Sequence, residues 1–211
     1  MLGATSAQVG TQIHAGENYR RVVELVQAGA IGPIREVHVW AAASYGGKNK
    51  PEATPPVPAS LHYDLWLGPA PPAPYTEKRV HPQADYSRPG WLRCEQFGAG
   101  MITGWGVHHI DIAHWAMDLE YSGPIEIKAK AEFPKSGLWD VHGPFDVEAL
   151  YANGVTMLIS GDFPNGIRFE GSDGWIFVTR GSYSVTASDP TSAAANEKAL
   201  SASDPRILRS Q

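Results

Sequence analysis

The hydrophobic pattern divides the chain into two parts with different periods. Over residues 17–29, Val22, Val23, Leu25 and Val26 form one stripe, Arg20 and Arg21 an exposed face, and Gly29 a stop. This predicts an amphipathic helix. Residues 34–43 begin with the alternation I-R-E-V-H-V-W-A, which predicts a strand with Val37 and Val39 on one face. A Pro-rich stretch over residues 50–82 cannot be regular sheet, and one short helix is expected in it over 61–67. His62, Tyr63, Trp66 and Tyr75 are aromatic where flexible linkers are polar, so this stretch is expected to be an ordered loop. Residues 106–118 read as a second helix. Beyond it the period falls to two. Short β-rich runs predict strands over 125–133, 145–151, 155–163, 167–170 and 175–179. Turn signals at Asn153-Gly154, Asn165-Gly166 and Asp173-Gly174 join them into a meander.

Helices first and hairpins after predict an α+β fold, a mostly antiparallel open sheet with helices packed on one face. The organisation expected is a leader over 1–15, one domain over 16–187 and a tail over 188–211 that lacks an apolar stripe. The run V-T-M-L-I-S at 155–160 is apolar at both alternations. The second sheet face is therefore expected to be covered by another copy of the chain, making a homo-oligomer.

A net charge of −5 over 211 residues, with no run of Lys and Arg, argues against nucleic acid as a partner. The one cysteine, Cys94, excludes an intramolecular disulfide framework and a Cys-based zinc site. It reads as a small buried residue. The opening residues carry neither a charged n-region nor a long apolar run, and no later run would span a bilayer. A soluble cytoplasmic protein with no membrane partner is expected. Seven Trp and eight Tyr are many for this length. Aromatic side chains fill cores, and they also form the flat walls of carbohydrate sites.

The stretch G-W-G-V-H-H-I-D-I-A-H-W at 104–115 holds the densest chemistry. His108 and Asp111 are three apart and share a helix face, which Ile112 and Trp115 continue. An acid/base beside a carboxylate that can bind hydroxyls suits work on a sugar or polyol. His109 points to the opposite side and reads as structural; His114 reads as a surface residue. His108, Asp111 and His114 are not expected to converge on one metal ion without help from Asp140 or His142, and no metal is expected. Trp91, with Arg88 and Arg93, precedes the helix and would wall the pocket together with Tyr63 or Trp66. No Gly-rich strand-to-helix turn occurs anywhere in the chain, so no nicotinamide cofactor is expected in this chain alone. A cofactor-independent glycoside hydrolase, with Asp111 and Asp140 as its carboxylate pair, is the alternative reading. A non-catalytic oligomeric scaffold is the second.

Five segments in order resemble the substrate domain of the glucose–fructose oxidoreductase / inositol dehydrogenase (Gfo/Idh/MocA) family. They are G-T-Q-I-H at 10–14, A-G-A-I-G-P-I-R-E-V at 28–37, Y-D-L-W-L-G-P-A at 63–70, R-P-G-W-L-R at 88–93 and G-V-H-H-I-D-I-A-H-W at 106–115. The resemblance implies a sugar or polyol substrate and NAD or NADP as redox partner. It also implies an oligomer interface on the open sheet. It assigns His108 as acid/base on the reacting hydroxyl and Asp111 as a contact to substrate hydroxyls. It also places Asp140 and His142 near the site. Gly104 stands where many members carry an aspartate, and no Rossmann domain or E-K-P lysine is seen in the sequence.

Overall fold

The computed structural model describes residues 10–44, 49–83 and 86–180, with the backbone alone over 82–89. Most of the expected leader and all of the expected tail lie outside these residues. The helix α1, Glu17–Gln27, buries Tyr19, Val22, Val23, Leu25 and Val26 along one stripe. Its exposed face carries the i,i+4 pairs Arg21–Glu17 at 2.7 Å and Arg20–Glu24 at 2.9 Å. Such pairs contribute a few tenths of a kcal/mol each. The burial of the stripe therefore decides where this helix sits. Just before it, a 3-10 turn over Gln12–Ala15 places Ile13 in the core.

The strand β1, Ile34–Trp40, directs Val37 and Val39 at the helices, both fully buried. The Pro-rich stretch is built around a small core of its own. Helix α2, Tyr63–Leu67, packs Tyr63 with Tyr75 and with Val80 from α3, Glu77–Val80. A two-stranded ribbon of β2, Pro82–Gln83, and β3, Tyr86–Pro89, follows and was not foreseen. A 3-10 turn over Gly90–Arg93 and a π-helical turn over Ile102–Gly106 lead into α4, Val107–Ala116. A Cβ on Gly106 would stand 2.7 Å from the Cβ of Ala41. Only glycine lets the start of α4 press this closely on the end of β1.

Five strands complete the sheet: β4, Glu126–Ala131; β5, Phe145–Leu150; β6, Thr156–Ser160; β7, Ile167–Gly171; and β8, Trp175–Val178. The order across it is β4-β5-β6-β1-β7-β8. This corrects the expected meander. β1 enters between β6 and β7, parallel to β6 and antiparallel to β7. The remaining pairs are antiparallel, so the fold class is the expected α+β open sheet with helices on one face.

On the helix side, Met157, Ile159, Ile167, Phe169, Ile176 and Val178 meet α1 and α4, and Ile112 and Ala113 of α4 are fully buried there. The helices do not reach β4, every residue of which is exposed. Lys128 and Lys130 on this edge blunt it against unwanted pairing. The other face of the sheet is more polar than the run V-T-M-L-I-S suggested. It carries Lys128 beside Glu126 and Glu148, His38 beside Glu36, and Arg168 beside Glu170. These rows cross Leu158, and the ring of Phe163 stacks on His38 at 4.8 Å. A shallow cavity of about 440 Å³ lies there, lined by Lys128, Asp146, Leu158, Ser160 and Phe163.

Candidate functional site

Two segments distant in sequence, and the turn that leads into α4, meet along this helix. The 3-10 turn before α1 brings His14. The π-helical turn brings Trp105. The chain just past β8 brings Arg180. His14 Nε2 lies 2.5 Å from Asp111 Oδ2, with each side chain 31% exposed. The His14 ring stacks on Trp115, with centroids 4.5 Å apart and planes 16° from parallel. His108 meets the edge of Trp105 at 5.9 Å, and the Arg180 guanidinium lies over the Trp105 ring at 5.0 Å.

His109 sits behind this group and is fully buried. Its Nδ1 donates to the Trp40 carbonyl at 2.9 Å, which leaves Nε2 to accept from the Tyr19 hydroxyl at 3.4 Å. Burial pushes the His109 pKa down, with His108 and Arg180 adding repulsion. Burial pushes the Tyr19 phenol up to about 12. His109 is thus the structural residue its direction on the helix implied. His114 corrects the surface reading. It is half-buried, bonded through Nε2 to the Tyr151 hydroxyl at 2.6 Å, and its pKa is lowered by burial against the opposing pull of Asp111.

The other sequence candidates fall into separate groups of contacts. Trp91 lies in the turn Gly90–Arg93, whose neighbour Leu92 reaches Gly104 in the π-helical turn. Arg88 is on β3, where the backbone alone is described. Arg93 lies over the Trp139 ring at 4.6 Å, and its carbonyl accepts from the Asp140 amide. The Asp140 carboxylate takes the Glu95 amide at 2.7 Å, while Asp111 is bonded to His14. His142 is buried. It donates through Nδ1 to the Gly143 carbonyl and accepts at Nε2 from Ser44, whose oxygen in turn takes the Met101 amide. Tyr63 donates to the Pro74 carbonyl and stacks on Trp66, which meets Phe97 at 4.9 Å. These two residues belong to the small core of the Pro-rich stretch. Cys94 is buried, and its thiol is pushed up by that burial.

Sequence reasoning missed His14, Trp105 and Arg180 as members of the site. G-T-Q-I-H contained the signal for His14, since a motif histidine just ahead of a helix can reach a neighbouring helix. Arg180 follows a strand with no motif around it, so only the fold reveals it.

A mostly antiparallel open sheet with two helices on one face, and His108, Asp111 and Trp115 along the second helix, defines an α+β domain. The chain belongs to the Gfo/Idh/MocA oxidoreductase family: the model of that family's C-terminal alpha/beta domain matches residues 16–188. Among solved structures it is similar to an aldose-aldose oxidoreductase from Caulobacter crescentus complexed with glycerol. Identity is 16%, the TM-score is 0.51, and the match covers 81% of this chain and 40% of that one. It is also similar to a putative oxidoreductase from Thermotoga maritima, at 16% identity and a TM-score of 0.50, covering 95% of this chain and 57% of that one. At such identities the likeness is one of fold. The chain spans about half the length of the structures it matches. No curated protein matches the sequence. Among the described residues no helix is long and apolar enough to cross a membrane.

Proposed function

We propose that this chain is the sugar- or polyol-binding domain of a nicotinamide-dependent oxidoreductase, with the site on the N-terminal half of α4. The observation that carries the reading is the side-by-side placement of His108 and of Asp111, one helical turn apart, among Trp105, Trp115, His14 and Arg180. His108 is the acid/base on the reacting hydroxyl. Asp111 binds hydroxyls through Oδ1, because Oδ2 is engaged by His14. The aromatic rings supply apolar faces for the carbon skeleton.

A nicotinamide dinucleotide supplies hydride chemistry, and its pyrophosphate needs a Gly-rich turn from a strand into a helix N-terminus. The described residues do not fit that group. β1 runs on into Ala41, Ala42, Ala43 and Ser44, and α1 precedes a strand rather than following one. This chain's own residues supply the hydroxyl-binding end of the reaction. We also propose that the open sheet face joins copies of the chain, with Leu158 and Phe163 at the centre of the contact.

The test is calorimetric titration of the protein with glycerol, D-glucose and myo-inositol, and separately with NAD and NADP. Binding of at least one polyol is expected, weakened in His108→Ala and Asp111→Asn. The dinucleotides are expected to bind no better than millimolar. Polyol binding that both variants retain in full overturns the site, and a micromolar Kd for NAD overturns the division of labour.

A further inference from the structure

We propose that His14 is a ligand-contacting residue of this site, accepting a hydrogen bond from a sugar or polyol hydroxyl at Nδ1 while Asp111 holds its proton on Nε2. The inference rests on the hydroxyl-binding reading above and adds a residue and an atom to it.

Three observations carry it. First, His14 Nε2 stands 2.5 Å from Asp111 Oδ2. A carboxylate accepts, so Nε2 carries a hydrogen, and in the neutral ring the lone pair then stands on Nδ1. Second, the ring cannot swing away. One face lies flat on Trp115, at 4.5 Å and 16°. The chain on either side is held by the buried Ile13 and by the bond from the Gly16 amide to the Ile13 carbonyl at 2.9 Å. Third, among the described residues none bonds Nδ1, and the side chain is 31% exposed.

A histidine serving only to cap α4 would bury both nitrogens, as His109 does with the Trp40 carbonyl and the Tyr19 hydroxyl. His14 instead has one nitrogen committed and one open at the edge of the cluster. The Asp111 bond sets the hydrogen of the ring on Nε2 before any ligand arrives, so the choice of tautomer is built into the fold rather than induced.

The experiment is long-range 1H–15N NMR of the histidine rings, with glycerol, myo-inositol and 2-propanol as probes. In the free protein His14 is expected as the Nε2–H tautomer, and Asp111→Asn is expected to abolish that preference. Glycerol or myo-inositol is expected to shift His14 Nδ1, and 2-propanol at equal concentration to leave it unmoved. His14→Phe keeps the stack on Trp115 and removes the acceptor. It is expected to retain the melting temperature within a few degrees and to weaken polyol binding by roughly 3- to 10-fold, the worth of one hydrogen bond. A polyol that binds without moving Nδ1, or that binds His14→Phe as tightly as the natural protein, overturns this inference and leaves the site reading intact. An Nδ1–H tautomer in the free protein does the same. If no polyol binds at all, the site reading falls and this inference falls with it.

Discussion

Tyr19 and His109 form a buried hydroxyl–imidazole contact whose response to alkali follows from its burial. Tyr19 is almost entirely excluded from solvent, and its phenol is raised from 10.0 to about 12 because burial disfavours the phenolate, against a weaker opposing pull from Arg180. In the unfolded chain the same phenol titrates at its ordinary value near 10. The folded state therefore holds its proton across a window in which the unfolded state loses it. Stability is intact below pH 10 and falls as the pH rises from about 10 to about 12. Two pKa units correspond to about 2.7 kcal/mol. Tyr19→Phe removes that dependence. It also removes the 3.4 Å bond to His109, a long contact whose loss costs about 1 kcal/mol at neutral pH. The two proteins should consequently exchange rank. Natural protein is expected to be the more stable at pH 8 and the less stable by pH 12. Tyr151, also raised by burial, adds slope to both proteins equally and cancels in the difference. Urea unfolding at a series of pH values measures both curves, and phenolate absorbance reports the ionisation directly. Curves that stay parallel from pH 9 to pH 12 would refute the reasoning, because Tyr19 would then ionise as freely folded as unfolded.

On the acid side, His109 and His114 are both lowered by burial, so stability should be full above about pH 6.5 and decline as pH falls through their folded values. The slope is at most about 1.4 kcal/mol per pH unit for each group, and urea midpoints from pH 7.5 to 5 measure it against His109→Gln. In any preparation that oxidises a polyol with a nicotinamide, His108→Ala should lower kcat by roughly 10²–10⁴-fold with little change in melting temperature. A Cβ at position 171 would meet the Ile31 carbonyl oxygen at 2.0 Å, so Gly171→Ala should destabilise by about 1–3 kcal/mol or prevent folding, read by thermal melts. Asp118, two residues past the end of α4, has φ 56, and Asp118→Gly should raise stability by up to about 1 kcal/mol, because glycine adopts a left-handed backbone without strain. Light scattering should return a multiple of 22.8 kDa, and the monomer mass at every micromolar concentration would count against a sheet-face oligomer.

Local pattern was enough for the pieces. The stripe Val22–Val23–Leu25–Val26 and the alternation around Val37 and Val39 reflect periods that backbone geometry imposes within a few residues. The two helices and six main strands were accordingly legible to within a few residues. The open α+β class followed from their order. The helical spacing of His108 and Asp111, and the inward direction of His109, were local facts of the same kind. Long-range pairing lay beyond such patterns. Nothing in I-R-E-V-H-V-W states that β1 inserts between β6 and β7, because either edge offers the same backbone donors and acceptors. That choice was made by burial, when Val37 and Val39 met Met157 and Phe169 under α1 and α4. The polar character of the open face was likewise settled across strands, where Glu148, His38 and Arg168 fall into one row, with Leu158 between Glu148 and His38, only in register. The site followed the same rule. The sequence held His14 and Asp111 ninety-seven positions apart. Only the docking of the Gln12–Ala15 turn on α4 closed that distance, because hydrogen bonds and ring stacks act over a few ångströms and carry no trace along the chain.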